Sequence, residues 1–231
     1  TGIKKKQKIN KELLKKFDDK IKYYFIDTNI SEINPWKREG FQRNQIMKGI
    51  EDADHNDIIM ISDVDEIPNL KDLNLSNIGN KVYAFSLFHS MYKLNLMRQV
   101  MWIGTKLCKK KILKSPQWLR SLKVHKKYSF LRIDKFFSKT YYSKFKIIEN
   151  AGWHFGWLMR SDEIVEKVKS YSHTEHNIPL NNDDNYIKNC ISNQINFLDK
   201  NDILKVDYDT EKLPNYVKNN LEKFEEWIIK K

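Results

Sequence analysis

With 231 residues, 40% of them hydrophobic and 13% aromatic, and only 7 glycines and 5 prolines, the chain can build a packed core and lacks the composition of a disordered, collagenous or low-complexity protein. A formal charge of +12 suits an anionic partner, whether nucleic acid, an acidic membrane surface or a phosphorylated substrate, without choosing among them. Two distant cysteines, Cys108 and Cys190, exclude a disulfide framework or a cysteine-based zinc site, and no apolar run reaches the roughly 18 residues of a membrane helix.

Residues 1–20 are polar and basic, with a lysine cluster at 4–6 and a helix predicted near 11–20. The chain starts at Thr1 rather than Met, so a targeting segment or an upstream strand is read as removed. Residues 21–27 (I-K-Y-Y-F-I-D) predict a strand, and Asn34-Pro35 a turn. Phe41, Ile46, Met47 and Ile50 recur near helical spacing within 36–53. Residues 57–62 (D-I-I-M-I-S) form a nearly continuous apolar run, the pattern of a strand covered on both faces, as in a parallel sheet. Further strands are predicted within 81–96 and at 100–107, 146–149 and 152–158, with a second lysine cluster at 109–111. Residues 115–123 read as a short helix with Ser115 as cap and Pro116 in its first turn. Residues 161–171 read as a helix capped by Ser161 with Ile164, Val165 and Val168 inward, and 185–197 and 216–229 as later helices. Strands and helices mix throughout 1–231 without repeat or linker, which predicts one α/β domain with a mixed sheet flanked by helices.

The most informative segment is I-I-M-I-S-D-V-D-E-I-P, residues 58–68. Carboxylates at the end of a buried strand raise each other's pKa unless a cation sits between them. Alternation along an extended chain points Asp63 and Asp65 the same way, into the crevice beyond the strand end where open α/β folds bind ligands. Two hard carboxylates suit Mn2+ or Mg2+, which keep positions for substrate phosphates. Transfer from a nucleotide sugar needs such an ion, because negative charge grows on the departing diphosphate. D-x-D alone is a weak motif; the alternative is a solvated acidic turn.

In four segments the sequence resembles glycosyltransferase family 17, the β-1,4-mannosyl-glycoprotein N-acetylglucosaminyltransferase-like proteins. These are Thr1-Gly2 with the basic residues and K-F-D-D-K-I after it; W-K-R-E-G-F-Q-R-N-Q-I at 36–46; D-I-I-M-I-S-D-V-D-E-I-P at 57–68; and A-G-W-H-F-G-W at 151–157 followed by E-K-V-K-S-Y-S-H-T-E at 166–175. The resemblance spans nearly the whole chain and implies a GT-A-like fold, a UDP-sugar donor (UDP-N-acetylglucosamine in the characterised branch), a glycan acceptor and inversion at the anomeric carbon. The family pattern opens with a further strand and helix ahead of the T-G segment. This chain lacks them, so either it is N-terminally truncated relative to the family or its nucleotide pocket is incomplete.

Around this frame, Arg38, Arg43 and Asn44 lie on the helix before the acidic strand, where the family-like geometry puts them beside the donor. Arg43 either contacts the diphosphate or belongs to a salt-bridged helix face. Trp36 walls the donor or anchors the core. His154, on the opposite face of its strand from Trp153 and Phe155, is either a third metal ligand beside Asp63 and Asp65, an acceptor contact, or a buried structural histidine. Trp153 and Trp157 offer aromatic platforms to a sugar ring, and His173 and Glu175 are candidates for the acceptor cleft. S-H-T-E-H at 172–176 does not match the helical H-E-x-x-H motif, so no zinc site is expected there. Inversion needs a carboxylate to take the acceptor proton, and Glu163, Glu66 and Asp183 are the leading candidates among several.

Competing readings are a basic nucleic-acid-binding module, a metal-dependent phosphoesterase, and a catalytically inactive sugar-binding relative. The leading reading expects no nucleic-acid partner and allows peripheral contact with an acidic membrane surface. The compartment stays open between a cytoplasmic or membrane-peripheral one and, given an upstream anchor since removed, a Golgi-type lumen.

Overall fold

The computed structural model describes residues 11–26, 34–123 and 145–231. The N-terminal lysine cluster, the T-G segment and Asp27 lie outside the described residues. A short helix, α1 (Lys11–Leu14), continues as a 3-10 turn over Lys15–Lys20. Residues 21–26 do not form the predicted strand. They lie along the next helical segment instead: Lys22 pairs with Asp52 at 2.9 Å, and the Tyr24 hydroxyl donates to the Lys48 carbonyl at 3.0 Å. β-rich composition is not sufficient where no ladder partner meets the backbone.

Asn34-Pro35 starts a helix rather than making a free turn. The Asn34 side chain accepts from the Trp36 amide at 2.9 Å and caps α2 (Pro35–Asn44), with the proline where no amide is needed. The helical stretch breaks at Gln45 before α3 (Ile46–Gly49), and Gly40 is the buried residue of α2, so its apolar spacing does not mark a core face.

Among the described residues, eight strands form one mixed sheet around β3 (Val82–Met91). The strand at the acidic motif is β1 (Ile58–Ile61), which pairs antiparallel with β5 (Trp102–Lys109), not in a parallel ladder. Both its faces are nevertheless covered by apolar residues: Ile59 and Ile61 pack with Val82, Cys108 and Leu119, while Ile58 and Met60 pack on the cluster of Phe85, Leu87 and Leu107. β5 in turn pairs antiparallel with β3. Along its other edge β3 runs parallel to β6 (Phe145–Ile148) and then to β7 (Gly152–Gly156), and β2 (Glu66–Pro68) closes the far side of β7.

This order fixes the shape. In a flat sheet, the four steps from β1 through β5, β3 and β7 to β2 would cover about 19 Å at ~4.8 Å per step. The chain from Ile61 to Glu66 reaches at most about 18 Å when fully extended, and a turn with the Glu66 amide bonded to the Asp63 carbonyl shortens it further. The sheet therefore curls, and the acidic turn lies where its two ends meet.

A two-residue strand, β4 (Leu96–Met97), follows β3, and α4 (Pro116–Ser121) starts as expected, with the Ser115 hydroxyl accepting from the Trp118 amide. α5 (Ser161–Ser170) buries Ile164, Val165 and Val168, but its cap is Arg160, not Ser161; the Glu163 carboxylate accepts from the Arg160 amide at 3.0 Å. α6 (Asp184–Ser192) ends earlier than the predicted 185–197, because 195–196 form β8 (Ile195–Asn196), paired with β9 (Asp199–Ile203). The charged D-K-N-D-I run hides that hairpin from an apolar pattern. β10 (Lys205–Val206) then adds to β4, and α7 (Asn215–Lys218) with a 3-10 turn over Leu221–Trp227 takes the place of one long helix. Both cysteines are free and buried. The whole is a mixed α/β architecture, a large curled sheet flanked by helices, compatible with a GT-A-like fold.

Candidate active site

The acidic motif opens onto a cleft lined by α2, the 62–65 turn, Trp102, β7 and the end of α5. Asp63 and Asp65 lie in a turn rather than in an extended strand, so strict alternation does not orient them, yet both line this cleft, with the fully exposed Val64 between them.

Each Asp63 oxygen is already engaged. Oδ2 accepts from Arg120 Nη2 at 2.5 Å and Oδ1 from Arg43 Nη2 at 3.3 Å. Arg43 is itself held by Gln117 and by Glu39 one helical turn away. Below the turn sits Glu66, whose buried carboxylate accepts from five donors: Trp102 Nε1, Thr105 Oγ1, the Asp63 amide and both terminal nitrogens of Arg120. Burial pushes the Glu66 carboxyl up, but the Arg120 charge and its hydrogen bonds outweigh this and hold it below the usual carboxylate range. Lys106, also buried, donates to the Arg120 carbonyl at 2.6 Å; burial first, then the Arg120 guanidinium, lower its pKa to about 8.

Asp65 differs from Asp63. Its Oδ2 lies 3.6 Å from His154 Nε2, and the first effect on it, burial, is outweighed by the His154 ring and then the Lys167 ammonium, which keep it below its ordinary range. Register explains the pairing: His154 lies opposite Glu66 on β2 and beside His89 on β3. The His154 ring stacks on Trp102 at 4.6 Å and tilts against His89 at 4.4 Å, and its buried Nδ1 has no hydrogen-bond partner among the described residues. Burial, then His154 and Arg98, drive His89 down to about 3, so it is neutral. Asp65 and His154 thus offer one oxygen and one nitrogen donor on the cleft wall, a set that fits a divalent cation. Asp63 is already neutralised by two guanidinium groups.

Of the other residues singled out in the sequence, Trp157 and His173 line the cleft and Trp36 meets His173 edge-on at 4.4 Å. Trp157 holds a left-handed backbone (φ 59) and packs against Tyr171 and Phe197. Glu175 stands behind His173, its Oε1 2.7 Å from Nδ1. Asn44 accepts from the Gln117 amide, tying α2 to α4, and Arg38 does not line the cleft. Trp153 turns to the other side of β7, where its indole donates to the Lys212 carbonyl at 2.6 Å, so it gives no platform to the cleft. None of the three candidate bases faces the cleft: Glu66 is buried and saturated, Glu163 caps α5, and Asp183 caps α6 through the Asn185 amide. The cleft-lining carboxylates among the described residues are Glu39, Asp63 and Asp65.

Arg120, Trp102, Lys106 and Lys167 went unmarked by sequence reasoning. Arg120 reaches Glu66 across 54 positions, and no local pattern carries such a pairing; only its place at the end of a well-capped helix was visible. The lysine cluster at 109–111 is partly structural, since Lys110 donates to the Glu51 and Ala53 carbonyls and Lys111 to Asn56.

A family model described as Glycosyltransferase family 17 matches residues 1–227. Neither the curated proteins nor the solved structures yield a match.

Proposed function

Since the chain belongs to glycosyltransferase family 17 and is a glycosyltransferase that takes a sugar donor and a glycan acceptor, we propose that it is an inverting enzyme moving N-acetylglucosamine from a UDP-sugar to a glycan hydroxyl, with Mn2+ or Mg2+ on the diphosphate. The observation that carries this reading is the division of labour in the acidic turn: Arg43 and Arg120 immobilise Asp63, while Asp65 faces the cleft with His154.

Asp65, with His154, would hold the ion, and Asp63 would fix the turn that presents them. A bound divalent ion supplies Lewis-acid stabilisation of the charge on the departing diphosphate. The protein's own groups do the rest. Arg43, Lys22 and Lys167 are the cations of the cleft lining; they balance its three carboxylates and would face a pyrophosphate. Trp157, with the Lys167 ammonium over its ring at 4.5 Å, and His173 line the part of the cleft assigned to the acceptor. Trp102 clamps the His154 ring and donates to Glu66, coupling the metal-facing residues to the core.

Calorimetric titration of UDP-N-acetylglucosamine with and without Mn2+ tests the reading. Binding is expected to require the ion and to weaken by more than about tenfold in Asp65→Ala, the least effect anticipated for loss of a direct ligand. Equal binding with and without Mn2+, unaffected by Asp65→Ala, sinks it.

A further inference from the structure

The segment S-H-T-E-H, set aside on sequence grounds because its spacing is not that of a helical zinc motif, does not fold as an α-helix. Thr174–His176 is a 3-10 turn entered from His173, with the His176 amide bonded to the His173 carbonyl at 3.1 Å. In that geometry positions three apart eclipse one another, so His173 and His176 come to the same side with ring centroids 5.6 Å apart. Glu175 bends back onto His173. One ligand atom each from His173, Glu175 and His176 lie within 4.8 Å of one another, and among the described residues no other group of three or more histidine, cysteine or acidic side chains does so.

We propose that His173, Glu175 and His176 form a second divalent cation site on the lip of the cleft, taking a borderline ion such as Zn2+ and separate from the Asp65–His154 position. Two imidazoles and one carboxylate are a recurrent three-ligand zinc set that leaves a coordination position open. The ion would replace the proton now shared by His173 Nδ1 and Glu175 Oε1, opening their 2.7 Å contact to about 3.3 Å, the separation of two ligands ~2.0 Å from a tetrahedral ion.

Independent support comes from Tyr171. Its ring lies beside both histidines, at 5.4 Å from His173 and 6.3 Å from His176, and its buried hydroxyl has no hydrogen-bond partner among the described residues. A water or hydroxide in the open position is the kind of acceptor it lacks. The turn is also anchored from outside the cluster, since Asn181 Nδ2 donates to the His176 carbonyl at 2.9 Å.

The test uses the full chain stripped with a chelator and titrated with Zn2+ and with Co2+ as a spectroscopic substitute. We expect the visible absorption of a four-coordinate nitrogen and oxygen site, saturating at one Co2+ per chain beyond any ion held by Asp65 and His154. His176→Ala and Glu175→Gln should each lose that absorption and weaken Zn2+ binding by more than about tenfold, while Asp65→Ala keeps both. Glu175→Gln changes little in size, so it serves if His176→Ala fails to fold. No Co2+ absorption in the unmodified chain, or unchanged binding in both variants, overturns the proposal. So does loss of the signal in Asp65→Ala, which would assign the ion to the acidic turn. Because no nucleotide sugar is present, failure here leaves the donor-binding reading to its own experiment.

Discussion

Arg120 decides the chemistry of the acidic motif. One guanidinium reaches both Asp63 and Glu66, and Glu66 has no solvent to fall back on. Removing it strands a buried carboxylate, so Arg120→Met should cost about 3–5 kcal/mol in urea unfolding. Adding Glu66→Gln should return part of that loss, because the stranded charge is gone; no recovery would mean that packing, not charge, dominates. Lys106 offers a second check at this scale. Its pKa is about 8 in the fold against 10.5 as a free side chain, so between these values the unfolded chain binds more protons and stability rises with pH. The rise is on the order of 3 kcal/mol over that interval. Lys106→Met should flatten it, measured as the difference between the two proteins' urea midpoints across the range.

At the scale of elements, β5 carries the constraint that aligns the turn. Gly104 has room for no side chain: an added Cβ would come within 2.4 Å of Glu66 Oε1 and 2.7 Å of Trp102 Cδ1. Both neighbours are tied to each other, so neither yields cheaply. Gly104→Ala should therefore destabilise by about 1–3 kcal/mol, as overpacking does, and weaken donor binding along with it through the displaced 62–65 turn; wild-type melting and wild-type titration together would refute this. The helices and strands that read correctly have strong local signals, such as Ser115 and Pro116 ahead of α4, or the apolar run of β1. Those that did not, residues 21–26 and the β8–β9 hairpin, depend on what lies beside them: a helix flank in one case, and in the other the buried Tyr92, whose hydroxyl bonds to Ile195 and Phe197.

For the molecule as a whole, the +12 charge predicts a salt-sensitive encounter with the proposed anionic donor. Association should slow several-fold as ionic strength rises from about 0.05 to 0.5 M, because the screening length shrinks toward the size of a side chain. Stopped-flow mixing with a fluorescent UDP analogue measures it, and a flat response would show that the charge is only a solvated surface. By itself the sequence determined the mixed α/β class, the family and the place of the acidic motif, since each is written in contiguous residues: an apolar strand, a D-V-D-E-I-P stop, a G-W-H-F-G-W strand. What Asp63, Asp65 and Glu66 each contact was decided only by the tertiary structure. The curl of the sheet brings Arg120, Trp102 and His154 to three neighbouring carboxylates: Arg120 is shared by Asp63 and Glu66, Trp102 donates to Glu66, and His154 faces Asp65. A carboxylate's role follows from its partners and its burial, and those are properties of chain segments far apart in sequence that meet only when the sheet closes.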